Sequence, residues 1–462
     1  MGQRSERLSA SDMSSLLAER GPIHVHVGAT LVLAGGPLGF EDLLDHVHSR
    51  LALVPRFRQR LRPTPLGLAN PVWADDPRFD LRWHVRHAAV PAPGTMAQLR
   101  ELVGRLMSQP LDLERPLWQL YLIEGVEGGR HACVSKTHHA LVDGVAAIDV
   151  GTIVLDPNPE GAEARLGDER WDPDEPSPEM LLVQGASERI RAPLRAASRA
   201  ARSALAMPRE TASAVMRTAE GFTNLAARGP SAPRTLLNRE IGRDRRVGFV
   251  KAELEALKRV RGDSGATVND VILAIAAGGL RRLFERRGED LPDHLVALVP
   301  MSIRRHDEHV ELGNRLATLM VALPLREPDP DRRLRLIHEE TTRIKESEQA
   351  RAASLVIDAT GWTPPTINRV LADVLARPLT WNLVISNVPG PQVPFYLLGR
   401  RMLEVYPFVP LSPQGHALSI GVVSYDGGVF FGLAGDRDLF ADIDQVAGDL
   451  EAAVAEQLEA AS

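Results

Sequence analysis

The chain has 462 residues, 44% of them hydrophobic and 25% charged, with a formal net charge of −6. That is ordinary globular composition; it excludes a globally disordered chain and offers no general attraction to nucleic acid. The single cysteine, Cys133, excludes an internal disulfide and a cysteine-rich zinc site.

At roughly 100–200 residues per domain, the length points to two domains or more. Met1 to Asp12 is polar and lacks an apolar core, so no signal peptide is expected. The chain begins Met-Gly, but Glu6 stands where a myristoylation site needs Ser or Thr. No apolar stretch approaches the ~18 residues of a spanning helix. The lone Cys133 sits in an apolar-alternating run and reads as a small buried hydrophobe in a reducing, cytoplasmic setting.

Residues 1 to about 155 read as mixed α/β. Ser11 to Glu19 suggests a short capped helix, and His24 to Leu31 alternates as a half-buried strand does. Phe40 to Leu53 has helical spacing, Leu81 to Val90 reads as a strand, and Met96 to Met107 as a helix. Leu117 to Glu124 and His131 to Lys136 read as strands joined by the turn Glu127-Gly128-Gly129-Arg130. Asp143 to Leu155 returns to helical spacing. Asp156 to Glu179 is acidic and Pro-rich and reads as an exposed linker. Leu181 to Arg228 carries eight arginines, three glutamates and no lysine on an Ala-rich helical background, divided by Pro193 and Pro208.

A second α/β half follows from about residue 235. Val268 to Glu285 is a strong helix, Leu295 to Ile303 and Asn314 to Leu325 suggest strands, and Asp329 to Ser347 is a charged amphipathic helix. Trp381 to Ser386, Arg401 to Pro407, Ala417 to Tyr425 and Val429 to Ala434 suggest strands, the last two forming a hairpin through Asp426-Gly427-Gly428. Asp442 to Leu458 closes the chain as a helix.

The run His138-His139-Ala140-Leu141-Val142-Asp143-Gly144 falls at a strand-to-helix junction, where side chains can face a cleft. Imidazole titrates near neutral pH and can take a proton as a bond forms. Acyl transfer from a thioester to an alcohol needs such a base, because the hydroxyl is weakly acidic. The thiolate is a good leaving group, so no covalent enzyme intermediate is required. A histidine pair taken alone is more often a surface feature; the following Asp-Gly makes this one specific. Asp143 has three readings: helix cap, salt-bridge partner of an arginine, or metal ligand with His139. Gly144 would allow close backbone approach.

His138 to Gly144 resembles the HHxxxDG signature of acyl-CoA-dependent acyltransferases related to chloramphenicol acetyltransferase. That superfamily includes carnitine acyltransferases, condensation domains of peptide synthetases and bacterial wax ester synthase/diacylglycerol acyltransferases. Further elements look like the last of these. They are Leu8 to Asp12 with Ile23 to Gly28, Pro116-Leu117-Trp118, Thr267-Val268-Asn269-Asp270, Val299 to Arg304 with Gly313-Asn314, and Ser386-Asn387-Val388-Pro389-Gly390-Pro391. They run over nearly the full chain in the expected order.

The resemblance implies an α/β fold of two chloramphenicol acetyltransferase-like subdomains, a pseudo-dimer with the active site between them. The subdomains would be 1–155 and 235–462, with 156–234 as linker and crossover. His139 would be the general base, His138 a support, and Asp143 structural, with Arg304 as its partner. Asn269 and Asp270 would approach the same cleft; Asn269 would either stabilise the oxyanion or cap its helix. Trp118 would line an acyl tunnel or fill the core. The donor would be long-chain acyl-CoA, a substrate rather than a cofactor, and no metal is implied. The acceptor would be diacylglycerol or a long-chain alcohol. Such acceptors imply peripheral contact with a membrane or lipid inclusion, for which the Arg-rich segment offers a physical means. A carrier-bound thioester donor, or a catalytically silent lipid-surface protein, are the competing readings.

Overall fold

Period-two apolar runs become strands and the 3.6-period runs become the helices laid on them. The computed structural model describes residues 6–142, 151, 153–161, 172–187, 232–262, 265–302, 316–346, 381–411 and 415–461. The first half contains β1 (Glu6–Arg7), α1 (Ala10–Ala18), β2 (His26–Leu33), α2 (Phe40–Arg50), β3 (Gln59–Arg62), β4 (Val72–Asp75), α3 (Leu81–His84), β5 (Val85–Ala89), α4 (Met96–Ser108), β6 (Trp118–Val126), β7 (Arg130–His138) and α5 (His139–Val142). The second contains β8 (Arg245–Glu253), α6 (Leu254–Arg261), α7 (Val268–Arg287), β9 (Leu295–Ser302), β10 (Leu316–Leu323), α8 (Pro330–Glu346), β11 (Leu383–Pro389), β12 (Tyr396–Leu397), β13 (Arg400–Phe408), β14 (Leu418–Tyr425), β15 (Gly428–Asp436) and α9 (Ile443–Ala460).

Two six-stranded sheets carry the fold, in the orders β12-β13-β2-β7-β6-β5 and β10-β9-β11-β14-β15-β8. Two strands of the second half, β13 and the short β12, therefore complete the sheet of the first. β13 pairs antiparallel with β2, Tyr406 opposite Thr30. It reaches that edge by passing close over β14 and β15. A Cβ added at Gly432 would lie 1.8 Å from the Pro407 carbonyl oxygen, so only glycine permits this crossing. On the other side α4, capped by Thr95 and Gln98, packs against β8, and Arg100 pairs with Asp444 at 2.8 Å. The centre of the second half is α7, whose run Val271 to Leu280 is buried all round.

Several segments differ from the sequence expectation. Leu81–His84 forms one helical turn before β5, because the Asp80 carboxylate accepts the Arg82 N–H and starts it. The small sheet β1-β4-β3 and the pair β8–α6 give no strong periodic signal and were not expected. The 156–179 stretch is not simply an exposed linker. Asp156 is buried against Arg50 and forms a two-bond backbone bridge to Tyr396, and Glu175 pairs with Arg60 and Arg62 at 2.7 and 2.9 Å. Most of the Asp143–Leu155 helix and residues 188–228 of the Arg-rich stretch lie outside the described residues.

Candidate active site

The histidine turn begins where β7 runs out. Its backbone is held on both sides: the His138 N–H donates to the Leu117 carbonyl at 2.9 Å and the His139 N–H to the Val25 carbonyl at 2.8 Å. Backbone bonds to two neighbouring strand segments fix where the turn leaves the sheet. His139 is half-buried, whereas His138 is 1% exposed.

The surroundings of His138 fix its chemistry. Its Nδ1 accepts the Ala140 N–H at 3.0 Å, so the ring proton sits on Nε2. Nε2 lies 2.6 Å from the Glu19 carboxylate, at the C-terminal end of α1. Helix α1 packs against α5, the turn that bears His139.

His26, Lys136 and His138 share one face of the first sheet, since His26 stands directly opposite His138 and Lys136 lies two residues away. Helix α4 covers that face. Lys136 donates Nζ to the Leu106 carbonyl at 3.0 Å and to the Gln109 carbonyl, and His26 Nε2 meets the Met107 carbonyl at 2.9 Å. The open carbonyls at the end of α4 are thus satisfied from beneath the histidine turn. Burial pulls the Lys136 ammonium down to about 7, and the Arg86 guanidinium adds to it. Burial likewise holds His26 well below 6.5, and burial with nearby Arg245 lowers His24. Arg245, at the start of β8, reaches the Pro22 carbonyl at 2.6 Å, and its N–H donates to Ser108 Oγ at 2.7 Å. The second half is thereby fastened beneath the histidine turn.

Trp118 stands opposite Thr137, on the face away from His138. It is 2% exposed, stacks between Phe57 and His84, and donates its indole N–H to the Phe57 carbonyl at 2.8 Å. The side chain is enclosed by these core neighbours.

Asn269 is not the cap of α7. Thr267 is, with Asp270 completing the reciprocal box. Asn269 Oδ1 accepts instead from Asn387 Nδ2 at 3.1 Å, so two of the motif elements touch each other. Asp270 is fully buried, and its carboxylate accepts from the Thr267 N–H, His338 Nδ1 and the Thr341 hydroxyl at 2.8–3.0 Å. Burial alone would raise its pKa; these hydrogen bonds outweigh burial and hold it below the usual range. Asp143, Gly144 and Arg304 lie outside the described residues.

Sequence reasoning missed Glu19, Lys136, His26 and Arg245 as parts of this layer. No local spacing could have joined them: Glu19 and His138 are 119 positions apart, and Arg245 and Pro22 are 223. Cys133 is buried in the sheet, its thiol pushed up to about 12 by burial, which leaves it inert at neutral pH.

A solved structure of similar fold is the first condensation domain of the calcium-dependent antibiotic synthetase. Its TM-score is 0.56 at 16% identity, over 100% of this chain and 97% of that one. The shared fold class is the two-subdomain, chloramphenicol acetyltransferase-like α/β architecture. The wax ester synthase/diacylglycerol acyltransferase of Marinobacter aquaeolei VT8 has a TM-score of 0.68 at 28% identity, covering 98% of this chain and 99% of that one. A relative from Mycobacterium tuberculosis named "Probable diacylglycerol O-acyltransferase tgs1" is 34% identical over 454 residues, 97% of this chain and 95% of the relative. Residues 8–272 match the wax ester synthase/diacylglycerol acyltransferase catalytic domain, and residues 312–457 match its C-terminal domain. The chain belongs to the wax ester synthase/diacylglycerol acyltransferase family and is an acyltransferase of that type.

Proposed function

We propose that the chain transfers a long-chain acyl group from acyl-CoA to the free hydroxyl of diacylglycerol, making triacylglycerol, with His139 as general base. The acceptor hydroxyl loses its proton to His139 as its oxygen attacks the thioester carbonyl. The tetrahedral intermediate then expels the CoA thiolate, which regains the proton. A long-chain alcohol in the same place would give a wax ester. The observation that carries this reading is the division of labour in the histidine pair. His138 is spent on Ala140 and Glu19 inside the wall, while His139 begins the turn and is half-buried.

The test is acyl transfer from radiolabelled palmitoyl-CoA to diacylglycerol or hexadecanol. General-base assistance is typically worth ~10²–10⁴-fold, so His139→Ala should lose that much kcat while still folding. Near-normal turnover in a well-folded His139→Ala protein would refute the assignment.

These acceptors are poorly soluble, so the reading requires work at a lipid surface. Among the described residues no helix is long and apolar enough to cross a membrane. Residues 178–187 are helical and expose Met180 and Val183, 51% and 67% open to solvent, where the Arg-rich stretch begins. Exposed apolar side chains beside a basic segment favour peripheral contact with anionic lipid at the cytoplasmic face or on lipid inclusions.

A further inference from the structure

We infer that Glu19 is a positioning residue for acyl transfer: it holds His138 in the tautomer that caps the helical turn carrying His139. This rests on the reading of His139 as the base.

α5 begins at His139. The first N–H groups of a helix have no acceptor within it and need one from outside. The His138 ring supplies one. Its Nδ1 accepts the Ala140 N–H at 3.0 Å, the role a Ser or Asp oxygen plays at an ordinary helix start. An imidazole can do this only while Nδ1 carries no proton. In the other neutral tautomer, and in the imidazolium, Nδ1–H would face the Ala140 N–H, donor against donor.

Glu19 decides between these states. Its Oε2 lies 2.6 Å from His138 Nε2, which places an acceptor where the ring proton must be. The pair is well shielded, with His138 1% and Glu19 13% exposed, so water does not compete freely for either group. The acceptor is also firmly placed. Glu19 is the C-cap residue of α1, its N–H bonded to the Leu16 carbonyl, and α1 lies along α5. The charged and titratable groups around the pair come from three other elements or their approaches: His24 and His26 at β2, Lys136 on β7, and Arg245 on β8. Glu19 is the carboxylate that acts on His24 and Lys136 within this basic layer. It therefore balances the buried charge at the point where the tautomer is set.

The role predicts a specific pattern of variants in the full chain. Glu19→Ala removes the acceptor, so His138 samples both tautomers and the α5 cap is lost part of the time. Misplacing a catalytic group by about 1 Å can cost ~10²-fold. kcat should fall by roughly ten- to a hundredfold, with KM for palmitoyl-CoA within about twofold. Glu19→Gln keeps an acceptor oxygen without the charge and should restore most of the lost kcat. Long-range ¹⁵N NMR of histidine-labelled protein reads the state directly: Nε2–H alone in wild type and Glu19→Gln, mixed in Glu19→Ala. Wild-type kcat in Glu19→Ala, alongside an inactive His139→Ala, would overturn this inference and leave the base reading intact. Activity retained in His139→Ala would overturn the base reading itself. If Glu19→Ala does not fold, Glu19→Gln decides: a folded Gln variant with the Nε2–H tautomer but a large loss of kcat would overturn the positioning role.

Discussion

Removing the Asp270 side chain takes an acceptor away from three donors at the start of α7. Asp270→Ala strips the Thr267 N–H, the Thr341 hydroxyl and the His338 Nδ1–H of their partner. Hydrogen bonds to a charged group contribute about 1.5–3 kcal/mol each. Two of the donors have an alternative. The Thr341 hydroxyl already lies 3.1 Å from the His338 carbonyl, and the His338 side chain is 30% open to water. The carboxylate is itself fully buried, so relieving its desolvation offsets part of the loss. The net destabilisation should be about 2–4 kcal/mol. Asp270→Asn behaves differently. Its amide oxygen can stay with Thr267 and His338, and its NH₂ can donate to Thr341 Oγ while that hydroxyl turns to the His338 carbonyl. Asn should therefore cost only about 1 kcal/mol. Denaturant unfolding followed by circular dichroism, with acyl-transfer rates on the same preparations, reads both quantities. Since Asp270 is consumed in packing α7 on α8, kcat per folded molecule should stay within about twofold for Asn. An Asn variant as unstable as Ala would refute the hydrogen-bond argument. A fully folded Asn variant with kcat down ~10²-fold would show the carboxylate acting in the chemistry.

Two further outcomes follow from the same structure. Burial, with Lys136 and His24 nearby, keeps His26 from protonating in the fold, whereas the unfolded chain takes up that proton near 6.5. The stability His26 contributes is thus complete above pH 6.5 and lost as pH falls; His84, pulled to about 4 chiefly by burial, acts in the same sense. The thermal midpoint should fall more steeply between pH 6.5 and about 4.5 in wild type than in His26→Asn, and equal slopes would contradict this. At the lipid surface, Met180→Ser with Val183→Ser removes two side chains that are about half to two-thirds exposed. Each should contribute about 1 kcal/mol on insertion, so sedimentation with anionic phospholipid vesicles should weaken about tenfold or more; unchanged binding would remove this patch from the contact.

What the sequence determined by itself was whatever is written locally. The strand-to-helix junction at His138 and His139, the hairpin through Asp426-Gly427-Gly428 and the buried helix at Val268 each follow from periodicity and turn chemistry within a short window. The ordered motif elements carried the family as well. The tertiary structure alone decided how distant residues share the work. β13 leaves its own half to pair with β2, a choice made by the clearance at Gly432 and by pairing between residues 369 to 380 positions apart. Trp118 falls on the face away from His138 because an antiparallel register puts it opposite Thr137. Asn269 meets Asn387 rather than capping α7. The carboxylate that orients His138 comes from the end of α1, since α1 packs along α5, and nothing in the spacing of the chain announces that contact.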